Sequence, residues 1–354
     1  MSDIAIVHDY LSQYGGAERV ALALADMFDA PIYTSIYQPE RTFDDFRHRD
    51  IRTTFLQRFV PDGRFRWTAP ALGRAFRSLD LSSFDRVIVS SSGFAHHIEH
   101  PNASIYCHTT PRFIYDLDQY FSNSGALRSA TQPFLPWLRR ADKRAADSHQ
   151  HYVANSSVTA RRLADIYGKS TGVIHPPLHT QHLPAVALDP PAEPRALVVA
   201  RLQPYKRIDL AIEACAIAGV PLTIAGTGLD ESRLRAVAKG DVTFLGRVLD
   251  EDLAGLFSDH SVVLVPGVED FGLAPVEANY AGRPVVARAA GGALETMTAG
   301  VTGTLVDGDD PAEWAKALRD TLNNRWSTSG LRESTVRFQL PAFEASIKSW
   351  LDQA

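Results

Sequence analysis

Short apolar runs bounded by turn residues alternate along the chain with longer amphipathic segments. This alternation is typical of βαβ units, in which crossover helices join parallel strands. In the first half it predicts strands at Ile4–His8, Ile32–Ile36, Arg86–Ser90, Ser104–His108 and His151–Ala154. The helices predicted between them are Ala17–Phe28, Phe65–Arg77, Leu127–Ser148 and Val158–Tyr167.

A proline-rich segment interrupts this pattern from Pro176 to Pro194, where six prolines remove backbone donors and block regular structure. The pattern then restarts. The strands predicted there are Ala196–Leu202, Leu222–Ala225, Val242–Leu245, Val262–Val265, Pro284–Ala287 and Gly303–Val306. The helices are Arg207–Ala218, Glu231–Val237, Asp250–Phe257, Pro275–Ala281 and Pro311–Leu322.

The two halves therefore predict two doubly wound, Rossmann-like α/β domains, residues 1–175 and 176–354, with the linker at about 176–194. Ligands of such sheets bind beyond the carboxyl ends of the strands. We expect the chemistry in the loops that follow the strands and in a cleft that the two domains face.

Composition narrows the function classes. The 354 residues suffice for two cores, and a formal net charge of −5 gives no strongly basic domain, so no nucleic-acid partner is expected. Cys107 and Cys215 fall in opposite halves, which fits a reducing compartment without a disulfide framework. The sequence shows no signal-peptide pattern and no apolar run near the ~20 residues of a membrane span, so we expect a cytoplasmic, soluble or peripherally attached protein.

The strongest chemical signal is the segment from Gly267 to Glu277, which follows a predicted strand. Pro275 suits the first turn of a helix, so backbone N–H groups at Gly272, Leu273 and Ala274 would point toward a ligand. Such a helix start suits a diphosphate, and Glu269 and Glu277 would reach hydroxyls of one extended ligand. The alternative is that Glu277, placed in the first turn, only complements the helix dipole.

Arg201 and Lys206 supply two cations near the end of the first strand after the linker. Fixed cations beside a helix start would hold a diphosphate and stabilise the charge that grows on it as a bond to it breaks. The alternative is an ordinary solvated basic turn.

Glycine turns accompany these residues. Gly226 follows one predicted strand, and the segment Gly246-Arg247-Val248 follows the next, where a nucleotide would lie, although glycine after a strand is usually a simple turn. Gly15 and Gly16 open the first helix and allow close approach of a phosphate or a sugar. The third glycine and the ribose-binding acid of a dinucleotide fingerprint are not in place.

Together these residues resemble the retaining glycosyltransferases of family 4, which have the GT-B fold. The resemblance spans nearly the whole chain and includes the Glu-x7-Glu motif at Glu269 and Glu277, the Gly-Gly loop, the Arg…Lys pair and the segment Gly291–Glu295. The run Tyr106–Arg112 is similar to the Cys-His-Thr-Pro run of a bacterial mannosyltransferase-like subgroup, with Thr110 as an extra residue before the proline.

The resemblance implies roles for individual residues. Glu269 would contact the donor hexose and Glu277 the ribose, while Arg201 and Lys206 would bind the diphosphate. His108 would lie beside the donor sugar near the acceptor. Phe271, Gly272 and Leu273 would contact sugar and phosphate through their backbone, and the C-terminal helix from about Leu340 would pack back on the first domain.

Two segments imitate metal sites. Asp116-Leu117-Asp118 resembles the Asp-x-Asp of other glycosyltransferases but lies in an aromatic- and arginine-rich segment, and the paired cations already serve the diphosphate. The run from His96 to His100 has three histidines but neither the order of a zinc helix nor an evident partner acid, so a loop bordering the acceptor cleft is expected. We therefore expect no metal and no cofactor.

Basic and aromatic residues are mixed in the acceptor-side domain. Between Arg47 and Arg86 nine arginines stand against four aspartates, and 135–140 adds a second such stretch. The aromatic residues among the arginines include Phe55, Phe59, Phe65, Trp67 and Phe76. A surface that contacts an anionic membrane and an ordinary solvated face over core aromatics both stay open.

The resulting prediction is a metal-independent, retaining hexosyltransferase that uses a nucleotide-diphosphate sugar, GDP-mannose first and a UDP-sugar next. Its acceptor would be a saccharide or lipid-linked glycan of a cell-surface polysaccharide, and it would act in the cytoplasm or at the inner face of the membrane. The alternatives are a nucleotide-sugar epimerase of the same fold, a non-catalytic carbohydrate-binding protein and a nicotinamide-dependent oxidoreductase. The incomplete glycine fingerprint disfavours the last.

Overall fold

The computed structural model describes residues 3–59, 69–116, 132–183 and 191–353. Two compact units are found, one formed by Met1–Pro177 with Phe343–Ala354 and the other by Leu178–Ala342. The sequence placed the boundary between residues 175 and 176. No helix in the described ranges is long and apolar enough to cross a bilayer.

The first unit is built on a seven-stranded parallel sheet with the order β3-β2-β1-β4-β5-β6-β7. Its strands are β1 (Ile4–His8), β2 (Ile32–Thr34), β3 (Ile51–Thr53), β4 (Arg86–Ser91), β5 (Ala103–Cys107), β6 (His151–Ala154) and β7 (Gly172–Val173). The strand order reverses between β1 and β4, which is where ligands of such sheets bind. The short strands β3 and β7 were not predicted, since three- and two-residue segments carry little periodicity.

Helices cover both faces of this sheet. They are α1 (Gly16–Phe28), α2 (Ala69–Arg77), α3 (Arg112–Tyr115), α4 (Leu135–Asp147) and α5 (Ser157–Tyr167), joined by the final helix of the chain. The predicted helices Phe65–Arg77 and Leu127–Ser148 begin outside the described residues, and α4 follows a 3-10 turn at Gln132–Phe134. Ser156 caps α5 by accepting the Thr159 N–H at 3.1 Å.

Strand residues of the first unit alternate between two buried clusters. Val7 and Val89 face a cluster under α2, α4 and α5, whereas Ile6 and Ile88 face one under α1. Strands buried on both faces read as continuous apolar runs, which is why the sequence showed them clearly.

The second unit holds a six-stranded parallel sheet with the order β10-β9-β8-β11-β12-β13. The strands are β8 (Ala196–Val199), β9 (Leu222–Ala225), β10 (Val242–Gly246), β11 (Val262–Val265), β12 (Val285–Arg288) and β13 (Gly303–Val306). Its helices are α6 (Ile208–Ala218), α7 (Glu231–Val237), α8 (Leu253–Ser258), α9 (Leu273–Tyr280), α10 (Ala293–Thr296), α11 (Pro311–Asn323) and α12 (Thr328–Glu333). Here the order reverses between β8 and β11.

The last helix, α13 (Leu340–Leu351), begins in the second unit, and its larger part groups with the first. Phe343 packs edge-on against Tyr106 with ring centroids 5.9 Å apart, and Trp350 stacks on His151 at 4.6 Å. Arg86 donates to the Leu351 carbonyl at 2.6 Å. The chain end is thus part of the core of the first unit.

Candidate active site

Two loops meet at the point of the second sheet where the strand order reverses. Arg201 follows β8 by two residues, and Glu269 follows the neighbouring strand β11 by four. Because the strands are parallel and adjacent, their carboxyl ends lie at one edge of the sheet. The structure therefore brings both predicted donor-binding loops to one place within the second unit.

Lys206 and Glu269 form an ion pair in these loops. Lys206 ends a 3-10 turn at Pro204–Lys206, and its Nζ contacts Oε1 of Glu269. The two side chains are 17% and 18% exposed, so both remain reachable by a ligand. Arg201, also in this loop, is exposed. Two cations and one carboxylate are thus gathered at one edge of the sheet. The cations can bind an anionic group, and the carboxylate can accept hydrogen bonds from hydroxyls.

Gly267 allows the two loops to approach each other. A Cβ at this position would lie 2.6 Å from Cα of Lys206 and 2.7 Å from the Tyr205 carbonyl oxygen, which are backbone atoms with little freedom to move. The glycine is therefore required by the packing of the Lys206 loop on the Glu269 loop.

The helix α9 begins at Leu273, two residues earlier than predicted, after Gly272 with φ of +84°. Gly272 provides no side-chain cap, so the first turn presents backbone N–H groups of the kind that bind anions. The sequence placed Glu277 in the first turn; that position was wrong, since the turn holds no acid and Glu277 lies one turn further along. The dipole-complement interpretation of Glu277 loses its geometric basis.

A second backbone contact holds the Glu269 loop from the other side. The N–H of Gly292 donates to the Glu269 carbonyl at 2.8 Å, and a Cβ at Gly292 would lie 2.0 Å from the Phe271 carbonyl oxygen. The Phe271 ring is buried against Phe338, with centroids 5.6 Å apart. Phe271 is therefore a core side chain whose backbone alone faces the site.

The other predicted donor residues lie at the ends of the next two strands. Gly226 follows β9, and its N–H donates to the carbonyl of Gly246, the last residue of β10, at 2.7 Å. Arg247 is exposed, and Val248 packs partly buried against the core of the second unit. These residues extend the carboxyl edge of the sheet from β8 toward β10.

In the first unit His108 directly follows β5 and is largely buried. Its Nε2 lies 2.8 Å from the Ser90 hydroxyl, and its ring packs on Tyr106 with centroids 5.1 Å apart. Burial, together with the nearby His8, lowers the pKa of His108 to about 3. His108 is thus a neutral imidazole at physiological pH.

Glu18, in the first turn of α1 beside the Gly-Gly loop, is a carboxylate that sequence reasoning missed. Gly15 is the N-cap residue of α1, and a Cβ there would lie 2.6 Å from Oε2 of Glu18. Glu18 is buried, and its Oε1 accepts the Gln13 amide at 2.9 Å. The acid three residues after an N-cap is a recognised helix-start signal that was available in the sequence.

Asp9 was also missed. This buried carboxylate follows β1 and accepts backbone N–H groups of Ser92, Phe94 at 2.6 Å and Ala95 at 2.8 Å. It fixes the loop after β4 that leads to the histidine run. An aspartate at a strand end is too common to single out without the structure.

The histidine run differs from its prediction. His96 and His97 are buried, and a partner acid does exist, since Nε2 of His96 lies 3.1 Å and Nε2 of His97 3.6 Å from Oδ1 of Asp142 in α4. Arg77 lies 3.3 Å from Nδ1 of His97. A guanidinium only donates, so His97 carries its proton on Nε2, facing Asp142, whereas a metal-bound histidine would donate from Nδ1.

The carboxyl group of Asp142 is ionised in this cluster of His96, His97 and Asp142. Its burial favours the neutral acid, but the charge of His96 and hydrogen bonds from His96, His97 and Tyr167 outweigh that and hold its pKa below the usual range. We interpret the group as a buried ion-pair network.

The Asp-x-Asp segment at residues 116–118 is the other sequence that resembles a metal site. Asp116 lies 3.9 Å from Arg162, and Leu117 and Asp118 fall outside the described residues.

Two glycosyltransferase families match adjoining stretches of the chain. The family described as Glycosyltransferase Family 4 matches residues 14–182, and Glycosyl transferases group 1 matches residues 181–337. Residues 14–182 therefore resemble a family 4 glycosyltransferase, and residues 181–337 resemble a group 1 glycosyltransferase. The two doubly wound units are the GT-B fold that the sequence predicted, which confirms the expected fold class.

Sequence relatives and solved structures also show this likeness to glycosyltransferases. D-inositol 3-phosphate glycosyltransferase of Mycobacterium tuberculosis (strain H37Rv) is 31% identical over 222 residues, 56% of this chain and 46% of the relative. The chain thus spans about half the length of the curated relatives that it matches. Among solved structures, Anabaena HepE in complex with UDP and glucose has a TM-score of 0.73 at 19% identity, with 100% of each chain covered. Sucrose-phosphate synthase from Thermosynechococcus elongatus has a TM-score of 0.74 at 18% identity, covering 100% of this chain and 99% of the other.

Proposed function

We propose that this protein transfers a hexose from a nucleotide-diphosphate sugar to a saccharide or lipid-linked glycan acceptor, with retention of configuration and without a metal. The observation that carries the proposal is the arrangement of Arg201, Lys206, Glu269 and the start of α9 at one sheet edge. It combines positive charge and backbone donors for a diphosphate with a carboxylate for sugar hydroxyls.

The chemistry proposed for these residues is stabilisation of the leaving group. An acceptor hydroxyl oxygen bonds to the anomeric carbon, the bond from that carbon to the diphosphate breaks, and a phosphate oxygen of the leaving group takes the acceptor proton. Arg201, Lys206 and the N–H groups of Leu273 and Ala274 neutralise the charge that grows on the diphosphate. Each such group contributes on the order of 10²–10³ in rate.

The Gly-Gly loop takes a narrower role in this proposal. Glu18, buried beside Gly15, places negative charge at the start of α1. A carboxylate accepts hydrogen bonds from hydroxyls and repels phosphate oxygens. We therefore assign Gly15 and Gly16 to a sugar rather than to the diphosphate.

The donor is proposed as GDP-mannose because the Tyr106–Arg112 run resembles a mannosyltransferase subgroup. A UDP-sugar is the second candidate, favoured by the structural similarity to HepE, which was crystallised with UDP and glucose. The named substrate of the M. tuberculosis relative carries a phosphate, so a phosphorylated acceptor is included among those to be tested.

Peripheral membrane contact is part of the proposal for a lipid-linked acceptor. Phe134 and Trp137 at the start of α4 are 62% and 56% exposed, and Arg140 and Lys143 on the same helix are exposed as well. Aromatic residues beside cations suit an anionic bilayer surface. Co-sedimentation with anionic but not with neutral vesicles, weakened by Trp137→Ser, supports this contact; equal recovery with both vesicle types contradicts it.

The donor is tested by thermal-shift titration with GDP, UDP and ADP, because a ligand that binds only the native state raises the melting temperature. The diphosphate that gives the largest shift selects the sugar donors for product analysis with and without saccharide acceptors. Transfer of hexose to an acceptor supports the proposal. Conversion of the donor sugar with no acceptor present identifies an epimerase instead.

A further inference from the structure

Four buried side chains form a continuous polar path in the first unit. Oε1 of Glu18 lies 3.7 Å from Nε2 of His8, whose Nδ1 lies 3.0 Å from the Ser90 hydroxyl, which lies 2.8 Å from Nε2 of His108. His8 and Ser90 are register partners at the ends of β1 and β4, where the sheet order reverses. The path is therefore built by the strand pairing, and each of its members is at most 7% exposed.

The acceptors around His8 determine where its hydrogens lie. Nδ1 of His8 also lies 3.1 Å from the backbone carbonyl oxygen of Ser90, which can only accept a hydrogen bond. Nδ1 therefore carries a hydrogen, shared between the carbonyl and the hydroxyl oxygen of Ser90. The other ring nitrogen lies 3.7 Å from Oε1 of Glu18, which favours the ring orientation that directs Nδ1 toward Ser90.

The hydroxyl of Ser90 has one hydrogen to give. Its oxygen accepts from His8, and among the described residues the only other partner of the hydroxyl is Nε2 of His108. A buried hydroxyl hydrogen needs an acceptor, so it is directed to this Nε2. A neutral His108 that accepts at Nε2 carries its own hydrogen on Nδ1. Among the described residues, this Nδ1 has no hydrogen-bond partner.

We propose that Glu18, His8 and Ser90 are positioning residues that fix His108 as the Nδ1–H tautomer, so that His108 serves as a hydrogen-bond donor to a substrate oxygen and not as a base. The assignment of that oxygen to a sugar rests on the proposed function. It agrees with the proposed chemistry, in which a phosphate oxygen of the donor takes the acceptor proton and no side-chain base is needed. Burial keeps water from reordering the path.

The inference is tested by measuring which ring nitrogen of His108 carries the hydrogen. Long-range ¹H–¹⁵N NMR on the full-length protein with labelled histidine separates protonated from unprotonated ring nitrogens, and loss of one resonance set in His108→Gln assigns His108. We expect wild-type His108 to carry its hydrogen on Nδ1. In Ser90→Ala the population should shift toward Nε2–H, and kcat should fall on the order of 10² with a nearly unchanged donor KM.

Ser91→Ala is the matched control. Ser91 is the next residue of β4 and equally buried, but its hydroxyl lies 3.4 Å from Nδ1 of His96. This variant should keep both the His108 tautomer and kcat. His8→Phe provides a second perturbation if Ser90→Ala loses its fold by circular dichroism. It removes the donor to the Ser90 hydroxyl, whose oxygen can then accept from Nε2–H of His108, so it should shift the tautomer in the same direction.

The outcomes separate the inference from the proposed function. A wild-type His108 protonated on Nε2, or a tautomer unchanged in both Ser90→Ala and His8→Phe, overturns the inference whatever the enzyme transfers. A tautomer that behaves as expected in a protein that transfers no sugar sustains the inference and removes the proposed function alone.

Discussion

Lys206 and Glu269 lie 63 positions apart in the sequence and form an ion pair at the carboxyl ends of adjacent strands. The sequence assigned one to the diphosphate and the other to the hexose, as separate contacts. The carboxylate of Glu269 neutralises the charge of Lys206 in this pair. A bound diphosphate therefore competes with Glu269 for the same ammonium group.

This competition makes Glu269→Gln informative. Removing the carboxylate frees Lys206, so a nucleoside diphosphate should bind at least as tightly as in wild type by calorimetry, while turnover falls by on the order of 10²–10³ because the sugar loses its partner. Glu213→Gln, at an exposed position on α6, should change neither. Retained turnover with weaker binding would contradict the assignment of Glu269.

The backbone contact at Gly292 provides a second prediction. Gly292→Ala drives a Cβ into the Phe271 carbonyl oxygen, so the Glu269 loop must shift, at about 1–3 kcal/mol of stability and with loss of transfer. Gly255→Ala is the control, since a Cβ there meets nothing within 4 Å and Gly255 lies in α8. It should be neutral or stabilise by about 0.5–1 kcal/mol. Chemical denaturation and kcat check both; equal stability of the two variants would refute the contact.

The sequence predicted most strands and the loops that carry chemistry, because strands buried on both faces form apolar runs and parallel sheets bring their ends to one edge. It did not reveal the partners of these residues. The Lys206–Glu269 pair, the Asp142 partner of His96 and the path from Glu18 to His108 all join residues from different elements. Such pairs depend on strand order and register, which no local pattern encodes.

The structural reason for two glycines could not be predicted from the sequence either. Gly267 and Gly292 were predicted as parts of motifs with no stated physical role. In the structure each lies against the backbone of another loop, at distances that exclude any side chain. The sequence shows that a glycine is present, but only the neighbouring loop explains why it is needed.

The backbone of Arg207 has a strained conformation, and the strain can be tested by substitution. It has φ of +50° just before α6, a conformation costly for a residue with a side chain, and its ion pairs with Asp309 and Asp209 are half exposed. Arg207→Gly loses the pairs but relieves the backbone, whereas Arg207→Ala only loses them. We expect the glycine variant to be more stable than the alanine variant by about 1 kcal/mol in urea denaturation. The reverse order would contradict a strained backbone at this position.

Acid should destabilise the protein through His108. Its folded-state pKa of about 3 lies below the ~6.5 of an unfolded chain, so between these values the unfolded state binds more protons. Stability therefore rises with pH across this window, is level above it, and is lost as pH falls. His108→Gln removes a group that binds up to one more proton in the unfolded than in the folded state. The slope of the unfolding free energy against pH near pH 5 should therefore fall by up to about 1.4 kcal/mol per pH unit. An unchanged slope would show that His108 is protonated in the folded protein.

Excess chelator should leave both transfer and melting temperature unchanged. The charge on the leaving diphosphate is proposed to be met by Arg201, Lys206 and the start of α9, so the chemistry has no step for a divalent ion. The His96, His97 and Asp142 network is a second place to look, and there the Arg77 guanidinium beside His97 opposes a metal. Activity and thermal unfolding in EDTA, followed by Mg²⁺, Mn²⁺ or Zn²⁺ in separate samples, check both sites at once. Activity lost and restored by Mg²⁺ or Mn²⁺ would overturn the metal-free donor site, whereas a melting temperature restored only by Zn²⁺ would assign a metal to the histidine network.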